Sequence, residues 1–177
     1  MKKGLPPESQ IISNLPPDPM KWITREKIKV DRVACPWLIR NFIDSHADFV
    51  FLPRDTDWSK INDGVVFDVP NCELGHNGDD VSFNSILKKY KLTEPALVLL
   101  GEIVRAADSH PRKPHAAGEG LRWIAHGFSN LGLSDPEILE REFIVYDALY
   151  RQCRRRAAIR KVSTRMMSLF ELASTMR

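Results

Sequence analysis

The sequence contains no uninterrupted run of about 18 apolar residues, which is the length that a membrane-spanning helix needs. Its first ten residues include lysines but no apolar stretch, so no secretory signal is visible. The chain has only three cysteines, Cys35, Cys72 and Cys153, an odd number that favours reduced thiols over a disulfide framework. These absences together predict a cytoplasmic protein without a membrane span.

Several frequent catalytic motifs are also absent. The sequence has no GxSxG turn, no GxxxxGK loop and no GxGxxG turn, which excludes the commonest hydrolase, nucleotide-hydrolase and dinucleotide-binding classes. None of the five histidines forms an HxxH or HExxH pair, and no two cysteines form a CxxC pair. What is present is an ordinary globular composition, with 43% of the 177 residues apolar and 28% charged, which predicts one domain with a real core.

The basic residues are concentrated at the C-terminal end of the chain. Residues 151–177 contain 8 Lys+Arg and 1 Asp+Glu, whereas residues 1–150 contain 18 and 22. The body is therefore mildly acidic, and we expect no nucleic-acid binding without a further domain. Apolar residues recur at helical spacing within the basic stretch, which predicts a basic amphipathic helical tail over residues 154–177. Such a tail could bind a partner, could join copies of the chain into a homo-oligomer, or could be a solvated helix end.

Prolines mark off the N-terminal end of the chain. Residues 1–19 carry five of the twelve prolines and little apolar sequence, which predicts a mobile proline-rich arm before a domain over residues 20–153. The domain is expected to begin with a strand, a helix and two further strands. The helix is expected to start at Pro36, because the missing N–H of proline has no cost at the first helical position. The predicted strands are Lys21–Thr24, Asp48–Leu52 and Val65–Val69.

The rest of the domain shows the 3.6-residue periodicity of helices. Ser82 is the expected N-cap of the first of these helices, and Ser134 with Glu137 forms a capping sequence for the last. The predicted helices are Ser82–Lys91, Pro95–Asp108, Gly120–Leu131 and a long helix from Ser134. The fold class is therefore predicted as α+β, with a small three-stranded sheet and a crossover helix, followed by a mainly helical second half.

The densest group of reactive side chains lies around the predicted start of the crossover helix. If Cys35 is at the N-terminus of that helix, the free N–H groups there lower the pKa of its thiol and attract anions. Arg32 and Arg40 could supply paired donors to an oxyanion, with Asp31 in a supporting role. The alternative is a capped helix with an ion pair between Asp31 and an arginine, and with an inert Cys35. The pattern favours neither interpretation.

A polar loop follows the third predicted strand. Residues 73–80 contain three carboxylates, one imidazole and two glycines, which let the loop fold its polar side chains inward. Glu73 and His76 would contribute to a mixed oxygen and nitrogen ligand set that suits Mn, Fe or Zn. The structural alternative is a polar turn in which Asp79 or Asp80 caps the next helix, and spacing alone favours that alternative.

Asp108 ends the apolar helix that follows this loop. The helix dipole disfavours a carboxylate at a helix C-terminus, so helix stability does not explain Asp108 and a functional role is favoured. Glu102, in contrast, is explained by an i, i+3 pair with Arg105 on an exposed face. Asp108 is therefore the better functional candidate of the two acids.

Four segments of the chain form a recognisable set. They are Asp31–Asp44 (DRVACPWLIRNFID), Phe67–His76 (FDVPNCELGH), Leu99–Asp108 (LLGEIVRAAD) and Tyr146–Tyr150 (YDALY). Together they resemble the C-terminal domain family of the chromate resistance protein ChrB, over residues 20–153. The resemblance implies a bacterial cytoplasmic protein connected with chromate resistance, as a regulator or sensor. Full-length regulators of this kind carry a further N-terminal region for DNA binding, where this chain has the proline-rich arm, so we do not expect the regulator role here.

The family has a characteristic pattern of polar residues, and the resemblance implies that five positions of this chain match it. These positions are Asp31, Arg32, Cys35, His76 and Asp108. His76 and Asp108 lie in separate segments, yet both belong to the polar pattern that the resemblance implies. This favours one shared site over two independent capping roles.

Three hypotheses of function follow. In the first, His76 and Asp108, with Glu73 as a third ligand, hold a divalent Mn, Fe or Zn ion, and Arg32 and Arg40 receive a small anion such as chromate. The domain would then be a sensor or an accessory of detoxification. In the second, the chain is a redox enzyme in which a metal or a catalytic Cys35 thiolate reduces chromate or another oxidant. In the third, it is an interaction module that uses the basic tail.

Overall fold

The computed structural model of the chain describes residues 20–108 and 114–175, with side chains described as far as residue 163. Within these residues the chain forms the predicted α+β architecture, and the proline-rich arm predicted for residues 1–19 lies outside them. The strands are β1 (Lys21–Arg25), β2 (Asp48–Leu52) and β3 (Val65–Val66). The α-helices are α1 (Asp31–Phe42), α2 (Ser82–Lys89), α3 (Pro95–Asp108), α4 (Ala116–Ser129) and α5 (Asp135–Thr175).

The sheet is parallel, with β1 at its centre and β2 and β3 on its two sides. Ile23 in β1 lies opposite Val50 in β2 and Val66 in β3. Helix α1 is the crossover connection that the parallel pair of β1 and β2 requires. The topology brings the carboxyl ends of β1 and β3 next to each other, and this is the edge at which parallel sheets usually carry their binding sites.

Strand β3 is shorter than the Val65–Val69 strand that the sequence predicts. The N–H of Phe67 still donates to the carbonyl of Ile23 at 3.0 Å, but Asp68 adopts a φ of 49° and turns the chain out of the sheet. Aspartate tolerates this left-handed conformation better than most residues. The predicted strand end was wrong because the apolar run continues past the point where the pairing stops.

Helix α1 begins at Asp31, so the predicted start at Pro36 is wrong. Val30 occupies the N-cap position without a side-chain cap, and its carbonyl accepts the N–H groups of Val33 and Ala34 at 3.1 and 2.8 Å. Pro36 lies inside the helix, where its missing N–H leaves only one carbonyl of the first turn without its helical partner. A proline early in a helix therefore did not mark where the helix starts.

Helix α4 begins at Ala116, earlier than the predicted Gly120. The side chain of His115 caps it by accepting the N–H of Gly118 at 3.3 Å. Gly118 also permits close packing against α3, since a Cβ at this position would lie 2.7 Å from the Cβ of Ala106. The missing side chain thus decides how closely α3 and α4 approach.

Helix α5 starts with the predicted capping sequence. The backbone N–H and the hydroxyl of Ser134 donate to the carboxylate of Glu137 at 2.9 and 2.7 Å. Asp135 accepts the N–H groups of Lys27 and Ile28 at 2.8 and 3.0 Å, which ties α5 to the loop after β1. The helix continues without a break into the basic tail. Despite this length, neither α5 nor any other described helix has the apolar content needed to cross a membrane.

The core lies where α1, α3 and α5 meet. The ring centroid of Trp37 in α1 lies 6.3 Å from that of Tyr146 and 5.4 Å from that of Tyr150, both in α5. Leu38 of α1 and Leu100 of α3 are completely buried beside them. This packing holds the start of α1 and the end of α3 in fixed positions.

Candidate functional site

Three carboxylates surround one imidazole nitrogen at the carboxyl edge of the sheet. Nε2 of His76 lies 3.4 Å from Oδ2 of Asp31, 3.3 Å from Oδ1 of Asp68 and 3.4 Å from Oδ2 of Asp108. The four residues come from the start of α1, the turn after β3, the loop before α2 and the end of α3. The structure therefore brings His76 and Asp108 together and adds Asp31 and Asp68 to them.

Asp31 is held in place by the beginning of α2. Its carboxylate accepts the N–H groups of Ser82 at 2.6 Å and of Phe83 at 3.0 Å, so a side chain from α1 caps α2. Ser82, Asp79 and Asp80, the caps that the sequence predicts, do not cap this helix. A cap supplied from another segment of the chain leaves no local pattern in the sequence.

Asp68 is a member of the cluster that sequence reasoning missed. Its Oδ1 accepts the hydroxyl of Ser82 at 2.7 Å, and its Oδ2 lies 3.2 Å from Nη1 of Arg32. It was hidden inside the predicted strand Val65–Val69. The signal that could have identified it is a carboxylate within an apolar run, because a buried acid needs partners.

The cluster is open to solvent on one side. The side chain of His76 is 45% exposed and that of Asp108 is 26% exposed, whereas those of Asp31 and Asp68 are only 1% and 7% exposed. An ion arriving from solvent would therefore meet His76 and Asp108 first, with the two buried carboxylates behind them.

The imidazole and the carboxylates shift each other's pKa. Hydrogen bonds to Asp108, Asp31 and Asp68 raise the pKa of His76 to about 12, so the ring is an imidazolium at neutral pH. Burial raises the pKa of Asp31 to about 6, although the imidazolium opposes that shift. At neutral pH three carboxylates face one imidazolium and the guanidinium of Arg32. The guanidinium of Arg25 is close enough to interact with Asp68 and Asp108, so three positive groups face the three carboxylates in this partly enclosed site.

The residues of the cluster fit a divalent metal ion. Ligand atoms about 2.0–2.1 Å from a tetrahedrally coordinated ion lie about 3.3–3.4 Å from one another. The separations between His76 and its three carboxylate neighbours have this length, and ligand atoms of Asp31, His76 and Asp108 all lie within 4.8 Å of one another. An ion would bind in place of the imidazolium proton, because a ligating histidine must be neutral.

Two predicted ligands are not brought to the cluster. Glu73, predicted as the third metal ligand, is exposed and forms an ion pair with Lys89. Arg40, predicted as an anion donor, is exposed and donates to the carbonyl of Ala47 at 3.4 Å. Because a helix rises about 1.5 Å per residue, Arg40 lies about 12 Å further along α1 than Arg32.

A different arginine accompanies Arg32 beside the cluster. Arg25 ends β1, and its pKa is lowered by burial and by the nearby charges of Arg32 and Arg54. The Nε atoms of Arg25 and Arg32 are buried and have no hydrogen-bond partner among the described residues. Buried N–H groups are normally paired, so two unpaired guanidinium donors near the cluster are unusual. Arg25 escaped sequence reasoning because it belongs to no motif.

Cys35 lies in the second turn of α1 and is completely buried, so the prediction of a helix N-terminal thiol is wrong. Its Sγ lies 3.4 Å from Oδ1 of Asp31, to which the thiol donates. Burial, and then the charges of Asp31 and Asp68, raise the pKa of this thiol well above its ordinary value. Cys35 therefore supports the position of Asp31 and is not an exposed thiolate.

Fold and site define an α+β domain whose polar cluster lies at the carboxyl edge of a small parallel sheet. The family described as "ChrB, C-terminal domain" matches residues 22–153. Protein ChrB of Cupriavidus metallidurans is 35% identical over 131 residues, which are 73% of this chain and 40% of that protein. The chain therefore belongs to the chromate-resistance-related ChrB C-terminal domain family, and the resemblance seen in the sequence is confirmed. It spans about two fifths of the length of this curated relative. No solved structure matches the chain.

Proposed function

We propose that the chain is a cytoplasmic domain of chromate resistance that binds one divalent metal ion on Asp31, His76 and Asp108, with Asp68 beside His76. The observation that carries the proposal is the approach of three carboxylates to one imidazole nitrogen at 3.3–3.4 Å. Carboxylates gathered in a partly buried site are costly unless cations balance them. Mn, Fe and Zn suit the mixed oxygen and nitrogen ligand set.

The proposal assigns an oxyanion such as chromate to the neighbouring arginines. Arg25 and Arg32 both carry an unused Nε–H, and Arg32 also pairs with Asp68 through Nη1. Guanidinium groups recognise oxyanions through paired N–H donors. A divalent metal that displaces the His76 proton adds one net positive charge to the cluster, which strengthens its attraction for an anion. Metal and anion would therefore bind cooperatively, which suits a sensor or an accessory of detoxification.

Titration calorimetry on the full chain tests the metal site. The purified protein is stripped with a chelator and titrated with Zn²⁺, with Mn²⁺ and, without oxygen, with Fe²⁺; one equivalent should bind. His76→Ala, Asp68→Asn and Asp108→Asn should each weaken binding at least tenfold. Glu73→Gln is the matched control, because this exposed carboxylate has its own lysine partner, and it should bind as the wild type does. Binding of no ion, or equal binding by all folded variants, contradicts the proposal.

The anion site needs a separate titration with chromate and with sulfate, which is tetrahedral but not an oxidant under these conditions. Metal-loaded protein should bind chromate more tightly than metal-free protein does. Arg25→Lys and Arg32→Lys keep the positive charge but lose the planar guanidinium, so both should weaken chromate binding. Arg40→Lys, on the same helix as Arg32, is the control. Unchanged chromate binding by Arg32→Lys would overturn the anion assignment without affecting the metal assignment.

A further inference from the structure

The two edges of the sheet differ in how they are protected. Strand β3 has only two residues, and directly after it Leu74 forms a bridge with Phe67 and accepts the N–H of Asp68 at 3.1 Å, so the chain itself pairs with this edge. Strand β2 has five residues (DFVFL), which include no proline and no lysine, and its register with β1 contains no bulge. Proteins use such devices to keep an edge strand from pairing with another chain, and β2 lacks them.

The open side of β2 carries unpaired backbone groups. The N–H of Asp48 donates to the carbonyl of Met20 at 3.1 Å, and the carbonyl of Leu52 accepts the N–H of Glu26 at 2.8 Å. Because the direction of these groups alternates along a strand, residues 48, 50 and 52 bond towards β1, whereas Phe49 and Phe51 direct their N–H and C=O groups away from it. No other strand of the described part of the chain lies on that side. What fits there is a further extended backbone.

We propose that β2 pairs with β2 of a second copy of the chain, antiparallel about a two-fold axis at Val50. In this register Phe49 of each copy lies opposite Phe51 of the other. Residues whose backbone groups point outward then face each other, and each such pair exchanges both of its N–H···O bonds. All the outward groups of Phe49 and Phe51 are thereby used, in a self-complementary two-fold interface.

Other two-fold registers use fewer of these groups. An axis at Phe51 would set Phe49 opposite Pro53, which has no N–H to donate. An axis at Phe49 would set Phe51 opposite Ala47, whose N–H already donates to the carbonyl of Asp44 at 3.2 Å. The axis at Val50 is therefore favoured over both.

The side chains of β2 also suit this register. The guanidinium of Arg40 lies 5.0 Å from the ring centroid of Phe49, so Phe49 and Phe51 project on the α1 side of the sheet. Cross-strand aromatic pairs such as Phe49 with Phe51 stabilise antiparallel strands, and like charges placed opposite each other destabilise them. Here the only charged residue of β2, Asp48, lies opposite Leu52. A second copy therefore offers the edge matching backbone groups and matching side chains.

The contact is small. A pair of five-residue strands is shorter than a standard protein interface needs, so we expect a dimer whose population depends on protein concentration. Strand β2 contributes no residue to the polar cluster, so this proposal does not rest on the metal site, and the two can fail separately.

Sedimentation velocity on the full chain, at concentrations up to about 500 μM, tests the association. The wild type should show a growing dimer fraction. Val50→Lys places two ammonium groups opposite each other at the axis and should raise the dissociation constant at least tenfold. Leu52→Lys is the matched control, because Leu52 is half-buried on the same strand face but lies opposite Asp48, so the dimer should persist. A wild type that stays monomeric overturns the proposal, including one whose β2 edge binds a different segment or protein. A dimer that Val50→Lys leaves intact also overturns it.

Disulfide cross-linking tests the register with a smaller change at the same two positions. At the axis the two Val50 residues form a non-hydrogen-bonded pair with Cα atoms about 4.5 Å apart, which a disulfide can bridge. The two Leu52 residues would lie about 14 Å apart along the strands. On mild oxidation Val50→Cys should therefore form a covalent dimer and Leu52→Cys should not. Absence of preferential cross-linking in Val50→Cys overturns the proposal. Because Cys35 and Cys153 are buried, a Cys72→Ser background removes the most accessible native thiol.

Discussion

The hydroxyl of Tyr146 donates a hydrogen bond of 2.8 Å to the carbonyl of Val30, the residue that directly precedes Asp31. Val30 has a φ of 34° and a ψ of −92°, a conformation that is strongly unfavourable for a β-branched residue. Such strain, on the order of 1–3 kcal/mol, persists only where the surrounding structure enforces it. A buried tyrosine of α5 therefore helps to hold the first residue of α1, and with it the most buried carboxylate of the cluster.

Removing this hydroxyl should loosen the metal site. Tyr146→Phe removes one buried hydrogen bond, although the Val30 carbonyl still accepts the N–H of Ala34, so it should lower the free energy of unfolding by roughly 0.5–1.5 kcal/mol. Because Val30 can then relax and move Asp31, metal affinity should fall by about tenfold, as for other residues that orient ligands. Tyr150→Phe is the control: it loses a similar bond, to Glu94 at 2.7 Å, and should leave metal affinity unchanged. Denaturant unfolding and metal titration check the two effects, and equal metal affinities for both variants would contradict the positioning role.

Metal binding should become tighter as the pH rises. The pKa of His76 is raised to about 12, so between about pH 6 and pH 12 its ring must lose one proton when a metal binds. Loss of one proton on binding predicts a tenfold gain in apparent affinity per pH unit. Below about pH 6 the buried Asp31 is protonated as well, which makes the dependence steeper. Titrations between pH 6.5 and 8.5 in buffers of different ionisation enthalpy measure the released proton, and a flat profile would show that His76 is not a ligand.

The cysteines should react in the order of their exposure. Cys72 is partly exposed, whereas Cys35 is completely buried and burial raises its pKa well above the ordinary value. Iodoacetamide at pH 8 should therefore modify Cys72 first in the native protein and should reach Cys35 only after unfolding. Peptide mass spectrometry over a time course follows each site. Rapid modification of native Cys35, with an apparent pKa at or below about 8.5, would instead favour the redox enzyme.

Glu142 should make the protein less stable at higher pH. It is completely buried in α5, neither carboxylate oxygen has a hydrogen-bond partner among the described residues, and burial raises its pKa to about 7. Since the pKa in the unfolded chain is lower, the folded state binds the proton more tightly. The resulting stabilisation is full below about pH 4.5 and is lost as the pH rises through 7.

The substitution Glu142→Gln removes this titration. Relative to the wild type, the variant should gain roughly 3 kcal/mol in unfolding free energy between pH 4.5 and pH 8. Glu140→Gln, an exposed acid on the same helix, should show no such gain. Denaturant unfolding at several pH values measures the difference. Parallel profiles for the wild type and Glu142→Gln would mean that Glu142 keeps its ordinary pKa in the folded state.

Part of the candidate site could be predicted from the sequence, namely the residues that are unusual among their neighbours in the chain. Asp108 opposes its own helix dipole, and His76 lies in a loop of acids, so both stand out from their local surroundings. Asp68 and Arg25 do not stand out, because each lies at the end of an apolar strand and is defined only by neighbours from other segments. Glu73 and Arg40 were included because they are close in sequence to site residues, but the structure places them elsewhere.

The sequence by itself determined the α+β class, the order of strands and helices, the capping sequence of α5 and the membership of the ChrB C-terminal domain family. These depend on local periodicity, on neighbouring residues and on short sequence segments that match the family, none of which requires a folded structure. Tertiary structure alone decided that Asp31 caps α2, that three carboxylates meet at His76, and that Cys35 is buried. Each of these facts joins residues far apart in the chain, and packing of the helices around a small parallel sheet sets the distances between them.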